Sequence, residues 1–160
     1  MTFSRRHFAA ALGTATVPAM AHDDDGDAIL DRTAAIHGRT NPLAVAGYRM
    51  GEAALRDLKL TRGHAALDVT HYAPATTQFS CLIDGLQAAT GASMGNLNLR
   101  LVSSAATYSV IRNRKTGREM KLELMPEFVR ATLETAAKDM LGAAEKVSRM
   151  PEAKIFRMKA

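Results

Sequence analysis

Hydrophobic and polar positions along this chain alternate between a helical period and a strand period, and the two together predict most of its elements. In "DAILDRTAAIHG" (27–38), Ile29, Leu30, Ala34 and Ile36 gather loosely on one side of a short helix, and Gly38 stands where a terminating glycine belongs. After "RTNP", apolar residues recur at Leu43, Ala46, Met50, Ala54 and Leu58. Those steps of three and four predict an amphipathic helix. Gly47 and Gly51 lie four apart within it. Glycines cost helix stability, so this pair predicts close approach by another backbone.

"HAALDVTHYA" (64–73) has strand composition around Leu67, Val69 and His71, and Pro74 stops it. "CLIDGLQAATG" (81–91) predicts a short helix ending at Gly91, and Leu97, Leu99 and Leu101 alternate as a half-buried strand. A hairpin follows. Tyr108, Val110 and Arg112 share one face on the way out, Thr116-Gly117 turns, and Met120, Leu122 and Leu124 alternate on the way back. The clearest helix starts at Pro126 and runs through "MPEFVRATLETAAKDMLGAAEKVSRM". Its apolar stripe comprises Phe128, Val129, Leu133, Ala136, Met140, Leu141, Ala144 and Val147. "AKIFRM" closes the chain as a short edge strand. No repeat or linker interrupts this order, so the expectation is a single α+β domain with a small mixed or antiparallel sheet and packed helices.

The first residues read as an address rather than as fold. Ser4-Arg5-Arg6-His7-Phe8, an alanine-rich apolar run and Ala19-Met20-Ala21 make a charged start, a short hydrophobic stretch and a small-x-small cleavage site. The paired arginines are those of a twin-arginine signal, which predicts export to the periplasm. The apolar run is well short of the roughly 20 residues of a membrane span. Removing residues 1–21 takes the formal net charge from +5 to +3, because Arg5 and Arg6 are its only charged side chains. The exported chain then spans 22–160. Twin-arginine export carries folded proteins, which favours a metal or cofactor loaded before transport.

A charge this modest suits solubility and gives no nucleic-acid footprint. The basic hairpin tip "RNRKTGR" lacks interleaved aromatics and is most simply a solvated turn. A single cysteine, Cys81, excludes an internal disulfide. Ser103-Ser104 has no base at readable spacing, and "GNLN" has no strand–loop–helix context for a phosphate loop.

Two segments resemble, together, the FmdE family, named after formylmethanofuran dehydrogenase. "HGRTNPLAVAGYRMGEAAL" is similar to its H-G-H-x-C-P-G-x-x-x-G-Y-R motif, and "CLIDGLQAATGASMGNLNL" to its C-x-x-D-A-x-Q-x-x-T-G-C-T-x-G-K-G-N-L. The hairpin and a closing "MPEAKIF" follow in the family's order, so the likeness spans about residues 27 to 158. The family takes its name from an operon in methanogens, and membership does not itself imply formylmethanofuran chemistry. The resemblance implies a compact α+β domain, commonly a homodimer, that binds a metal ion with His and Cys from the two motifs. In this chain those are His37 and Cys81. Asp84 and Gln87 of the second motif are also present. Arg39 stands at the family's second histidine, Asn41 at its first cysteine, Ala92 at its later cysteine and Asn96 at its lysine.

Cys81 at a helix N-terminus gains a dipole that stabilises a thiolate, suited to ligation or to nucleophilic attack. Asp84, three residues on, shares its helix face and can orient a histidine ligand. The plainer alternative is a buried inert thiol with Asp84 supporting the first turn. Two ligands do not close a zinc site. Met94 would make a soft, copper-leaning set with His37 and Cys81, although nine methionines in a chain without tryptophan mostly fill core. His22 would carry a free α-amine after cleavage and chelate copper or nickel, or simply begin a mobile acidic terminus. Zinc, copper and nickel are not separated by these donors. His64 and His71, seven apart, point to opposite faces of a strand and are no ligand pair.

Three functions follow. The first is an exported, non-catalytic or accessory protein that binds a transition metal or a metal-containing cofactor, with His37 and Cys81 as ligands and Asp84, Gln87, Arg39 and Asn41 around them. The second is a thiol-dependent enzyme or enzyme accessory using Cys81. The third is a structural or interaction protein that has lost the site and assembles through the Gly47/Gly51 helix.

Overall fold

The computed structural model describes residues 26–160; the twin-arginine segment and His22 lie outside them. Helix α1 (Gly26–His37) ends where Gly38 turns left-handed (φ +81°) and its N–H bonds to Ala34 O at 2.8 Å. Shortly after, α2 (Pro42–Leu58) begins, with Pro42 in its first turn. The Asn41 side chain caps it, accepting from Leu43 N at 2.9 Å and Ala44 N at 3.3 Å. Thus "HGRTNP" is a helix stop and a helix start in immediate succession. It sets His37 and Asn41 at one corner.

Strand β1 (Leu67–Ala73) leads through two short helices, α3 (Thr77–Ser80) and α4 (Leu82–Thr90), into β2 (Leu99–Ser103). The β3 (Tyr108–Asn113) and β4 (Glu119–Leu124) hairpin follows. After α5 (Pro126–Ala136), α6 (Met140–Ser148) and α7 (Glu152–Ile155), β5 (Phe156–Lys159) ends the chain. The sheet order is β2-β1-β3-β4-β5, with β1 and β2 parallel and the other pairs antiparallel. This is the expected single α+β domain. The inward residues of β1, namely Leu67, Val69, His71 and Ala73, join the core beneath the helices; Asp68, Thr70 and Tyr72 face away.

The α2–α4 contact is the centre of the core, and glycines make it possible. A Cβ on Gly85 of α4 would lie 1.8 Å from Ala44 O, and one on Gly47 of α2 would lie 2.1 Å from Leu82 O. Gly51 faces Ala89 at 2.7 Å in the same way. The close approach expected of Gly47 and Gly51 is therefore real, and the backbone they admit belongs to the same chain. They are consumed inside the fold, so the interaction-protein reading loses the surface on which it relied.

Three elements differ from expectation. The long C-terminal helix is broken at 137–139. Asp139 leaves the helix in an extended conformation (φ −146°), and its carboxylate caps α6 by accepting from Gly142 N at 2.9 Å. The chain turns there, so α6 buries Ala143, Ala144 and Val147, while Met140 and Leu141 are exposed. The hairpin's inward residues are Ser109, Ile111 and Asn113, opposite Met120 and Leu122; Tyr108, Val110 and Arg112 line the outer face. Ser109 is satisfied inside by His71 at 2.9 Å, and Asn113 by turn N–H groups of Lys115 and Thr116. Lastly, β2 buries Leu99 alone, and Leu97 sits before it with φ +55° and its side chain exposed.

His71 is fully buried, its second ring nitrogen 3.1 Å from Phe79 O, and burial lowers its pKa. His64 lies before the strand and accepts from Ala66 N at 3.0 Å. Both histidines are structural.

Candidate functional site

The corner made by "HGRTNP" and the start of α4 brings together most of the residues expected from the sequence. His37, the last residue of α1, places Nδ1 2.7 Å from Asp84 Oδ2 in the first turn of α4. A carboxylate oxygen accepts, so Nδ1 carries a proton, and in the neutral ring this leaves the lone pair on Nε2. Nε2 is buried and has no hydrogen-bond partner among the described residues. A polar atom left this way is rare in a native fold.

Cys81 lies beneath. Its thiol donates to Gln78 O at 3.1 Å and stands 3.7 Å from Asn41 Oδ1. The backbone passes through Cys81 in helical conformation, φ −62° and ψ −18°, ending α3 and leading into α4. Backbone N–H groups of Cys81 and Leu82 at the start of α4 favour the thiolate, as expected of a helix terminus, but they are outweighed. Burial, reinforced by the Asp84 carboxylate, pushes the thiol up to about 11, with Arg39 opposing. Cys81 is a neutral thiol at ordinary pH, which disfavours the nucleophile reading.

A cleft of about 310 Å³ opens over this corner. His37, Arg39 and Asn41 form one side, Thr77 and Gln78 another, and Leu133, Ala136 and Met140 the third. Arg39 is exposed at the mouth, whereas Asn41 has its oxygen engaged by the helix cap. Gln87 is half-buried one turn along α4 from Asp84 and does not line the cleft. Met94 is 77% exposed and does not line it either, so the soft donor suggested there is not assembled. The wall from α5 and Met140 was missed, because a continuous helix would not bend there. The signal available was Asp139 three residues ahead of Gly142, a capping pattern inside an apparently unbroken stripe.

Among the described residues, no three His, Cys, Asp or Glu side chains gather into a group that could hold a metal. A closed structural zinc site is therefore not built by these residues. An imidazole nitrogen and a thiol sulfur are donor types that suit ions of borderline or soft character, and Cys81 is not among the residues that line the cleft.

A family model described as "FmdE, Molybdenum formylmethanofuran dehydrogenase operon" matches residues 36–157. The chain belongs to the FmdE family. The match takes in His37 and Cys81 and stops short of the last strand residues. Among solved structures, this FmdE-family chain is similar to a tungsten formylmethanofuran dehydrogenase FmdE-like protein from Syntrophus aciditrophicus. The TM-score is 0.62 at 19% identity, covering 84% of this chain and 70% of that one, a likeness of fold. No curated protein matches the chain.

Proposed function

We propose that this FmdE-family protein binds a transition metal ion, or a cofactor that contains one, at His37 and Cys81, and serves as an accessory or carrier rather than a catalyst. The observation that carries the reading is the buried, unpartnered His37 Nε2, with the other ring nitrogen held by Asp84. A carboxylate behind a histidine fixes tautomer and ring orientation and raises the basicity of the ligating nitrogen. Cys81 Sγ supplies a second donor and gives up its proton on binding, which Arg39 assists. The ion would offer Lewis acidity or redox chemistry to whatever it carries in its open positions. Arg39 at the mouth supplies a cation for an anionic part of that cargo, and Thr77 and Gln78 supply hydrogen-bonding groups.

The proposal includes export by the twin-arginine route to the periplasm, on the strength of Arg5-Arg6 and Ala19-Met20-Ala21. No helix of the described residues is long and apolar enough to cross a membrane. A homodimer completes it: exposed Leu97, Leu101 and Val102 beside and along edge strand β2 offer apolar surface that a second copy can cover.

Titration of the metal-free protein with zinc, copper and nickel salts tests the site. Saturable binding to the wild type that is lost in His37→Gln and weakened in Cys81→Ala supports it. Binding unchanged by either substitution removes it.

A further inference from the structure

Between α5, α6 and α7, and sharing no lining residue with the His37 cleft, lies a cavity of about 360 Å³. Its walls are apolar, from Met125, Phe128, Ala143, Val147 and Met150. Phe128, Ala143 and Val147 are buried, so the cavity reaches down to the core.

One polar group stands in this wall without a partner. Thr132 lines the cavity and is 6% exposed. A helical threonine can donate its hydroxyl to the carbonyl four residues back. Thr33, Thr90 and Thr135 of this chain all do so, at 2.7, 2.6 and 2.8 Å. Among the described residues the Thr132 hydroxyl makes no hydrogen bond at all. Nor is it sealed away, since among them His37 Nε2 is the one enclosed side-chain atom without a partner. The Thr132 oxygen therefore opens on the cavity with its donor unused.

Lys146 and Lys154 stand at the mouth. Both are exposed, and among the described residues neither reaches a carboxylate at ion-pair distance. With Met150 they also line an adjoining depression that runs on to Glu145, Arg149 and Pro151. None of those three lines the cavity, so the two lysines share the rim between the two spaces. Glu127 is the acid of the lining, and two lysines less one glutamate leave the cavity at a net charge of +1.

We propose that this cavity is a second ligand site, for a small amphipathic organic acid. Its hydrocarbon part lies against Phe128, Val147 and Met150, one carboxylate oxygen accepts from the Thr132 hydroxyl, and Lys146 and Lys154 balance its charge. Apolar walls with a few polar groups are the usual build of a small-molecule site. The unused hydroxyl selects an oxygen acceptor, and a donor to an ionised oxygen makes the stronger bond. The unpaired lysines favour an anion over an alcohol or an amine of the same length. The site is separate from any metal at His37.

The test is calorimetric titration of the full chain with octanoate, 1-octanol and octylamine at low salt. Octanoate should bind the most tightly of the three. Thr132→Val removes the hydroxyl and keeps the shape, and should weaken octanoate about fivefold, the loss of one hydrogen bond. Lys146→Gln and Lys154→Gln should each weaken it about two- to fivefold, as for an exposed charge. Lys138→Gln, at an exposed lysine outside the cavity lining, should leave it unchanged. The three lysines are exposed and Thr132→Val adds no bulk, so the variants should fold, and circular dichroism checks this. Absence of octanoate binding at millimolar concentration overturns the proposal. So does 1-octanol or octylamine binding as tightly, octanoate binding untouched by Thr132→Val, or equal weakening by Lys138→Gln.

Discussion

His37 Nδ1 lies 2.7 Å from Asp84 Oδ2, across 47 residues of sequence and between two different helices. The pair joins the family's two motifs through one hydrogen bond and turns Nε2 to face a place where the described residues offer it nothing. Neither residue alone would distinguish a ligand from a surface histidine. Their relation is the one by which a carboxylate orients a ligating histidine, and it is what supports the proposed ligand role.

Asp84 should therefore act on metal through His37. Asp84→Ala is expected to weaken metal binding by about ten- to a hundredfold, the usual cost of losing such a carboxylate. Asp84→Asn keeps a carbonyl acceptor and should lose less. Competition against a chromophoric chelator measures both, and an Asp84→Ala affinity equal to wild type would count against the orienting role.

Cys81 gives a pH prediction. With the thiol pushed up to about 11 by burial and then by Asp84, the metal-free protein should react with iodoacetamide slowly at neutral pH. The rate should climb through about pH 9 to 11, above the range of a free thiol at about 8.5. Asp84→Ala removes a charge that opposes the thiolate, so it should shift the profile to lower pH. A wild-type profile with its midpoint near about 8.5 would contradict the burial argument.

Gly85 tests the packing that positions the corner. Gly85→Ala would place a methyl 1.8 Å from Ala44 O and 2.6 Å from Tyr48 N, both backbone. The helices must separate, at about 3 kcal/mol, the upper end of ordinary overpacking. Gly38→Ala meets nothing within 4 Å and is strained only by its φ of +81°, costing about 1 kcal/mol. Urea unfolding should rank the two in that order, and equal losses would mean that α2–α4 contact is softer than described.

Acid stability should depend on His71. Burial holds its folded pKa below the unfolded value of 6.5, so the unfolded chain binds the extra proton first. The folded state keeps its full advantage above about pH 6.5 and loses it progressively as pH falls below that value. His71→Gln should flatten this acid limb of the urea midpoint. An equally steep limb in the variant would move the origin elsewhere.

The parts of this structure that were legible in the sequence are those fixed locally. Asn41-Pro42 caps a helix by chemistry among adjacent residues, Gly38 and Gly91 end helices by left-handed turns, and β1 alternates cleanly. The glycine spacing of α2 foretold close approach, although only the fold shows that Gly85 answers it from α4. What was hidden depended on distant partners. The inward face of β3 carries Ser109 and Asn113, which composition assigns to solvent, because His71 and the hairpin turn satisfy them. The break at Asp139 was masked by apolar spacing that continues across it. At the site, the motif resemblance pointed to His37, Cys81 and Asp84, and the fold makes them neighbours. The motifs could not show that Asn41 is spent on a helix cap, nor that Cys81 is insulated rather than activated.

The most direct measurement is elemental analysis of the mature protein purified from its native host, wild type beside His37→Ala and Cys81→Ala. The account predicts stoichiometric transition metal in the wild type, none in His37→Ala and a reduced content in Cys81→Ala. A wild-type protein without stoichiometric metal, or metal retained undiminished in His37→Ala, would contradict it.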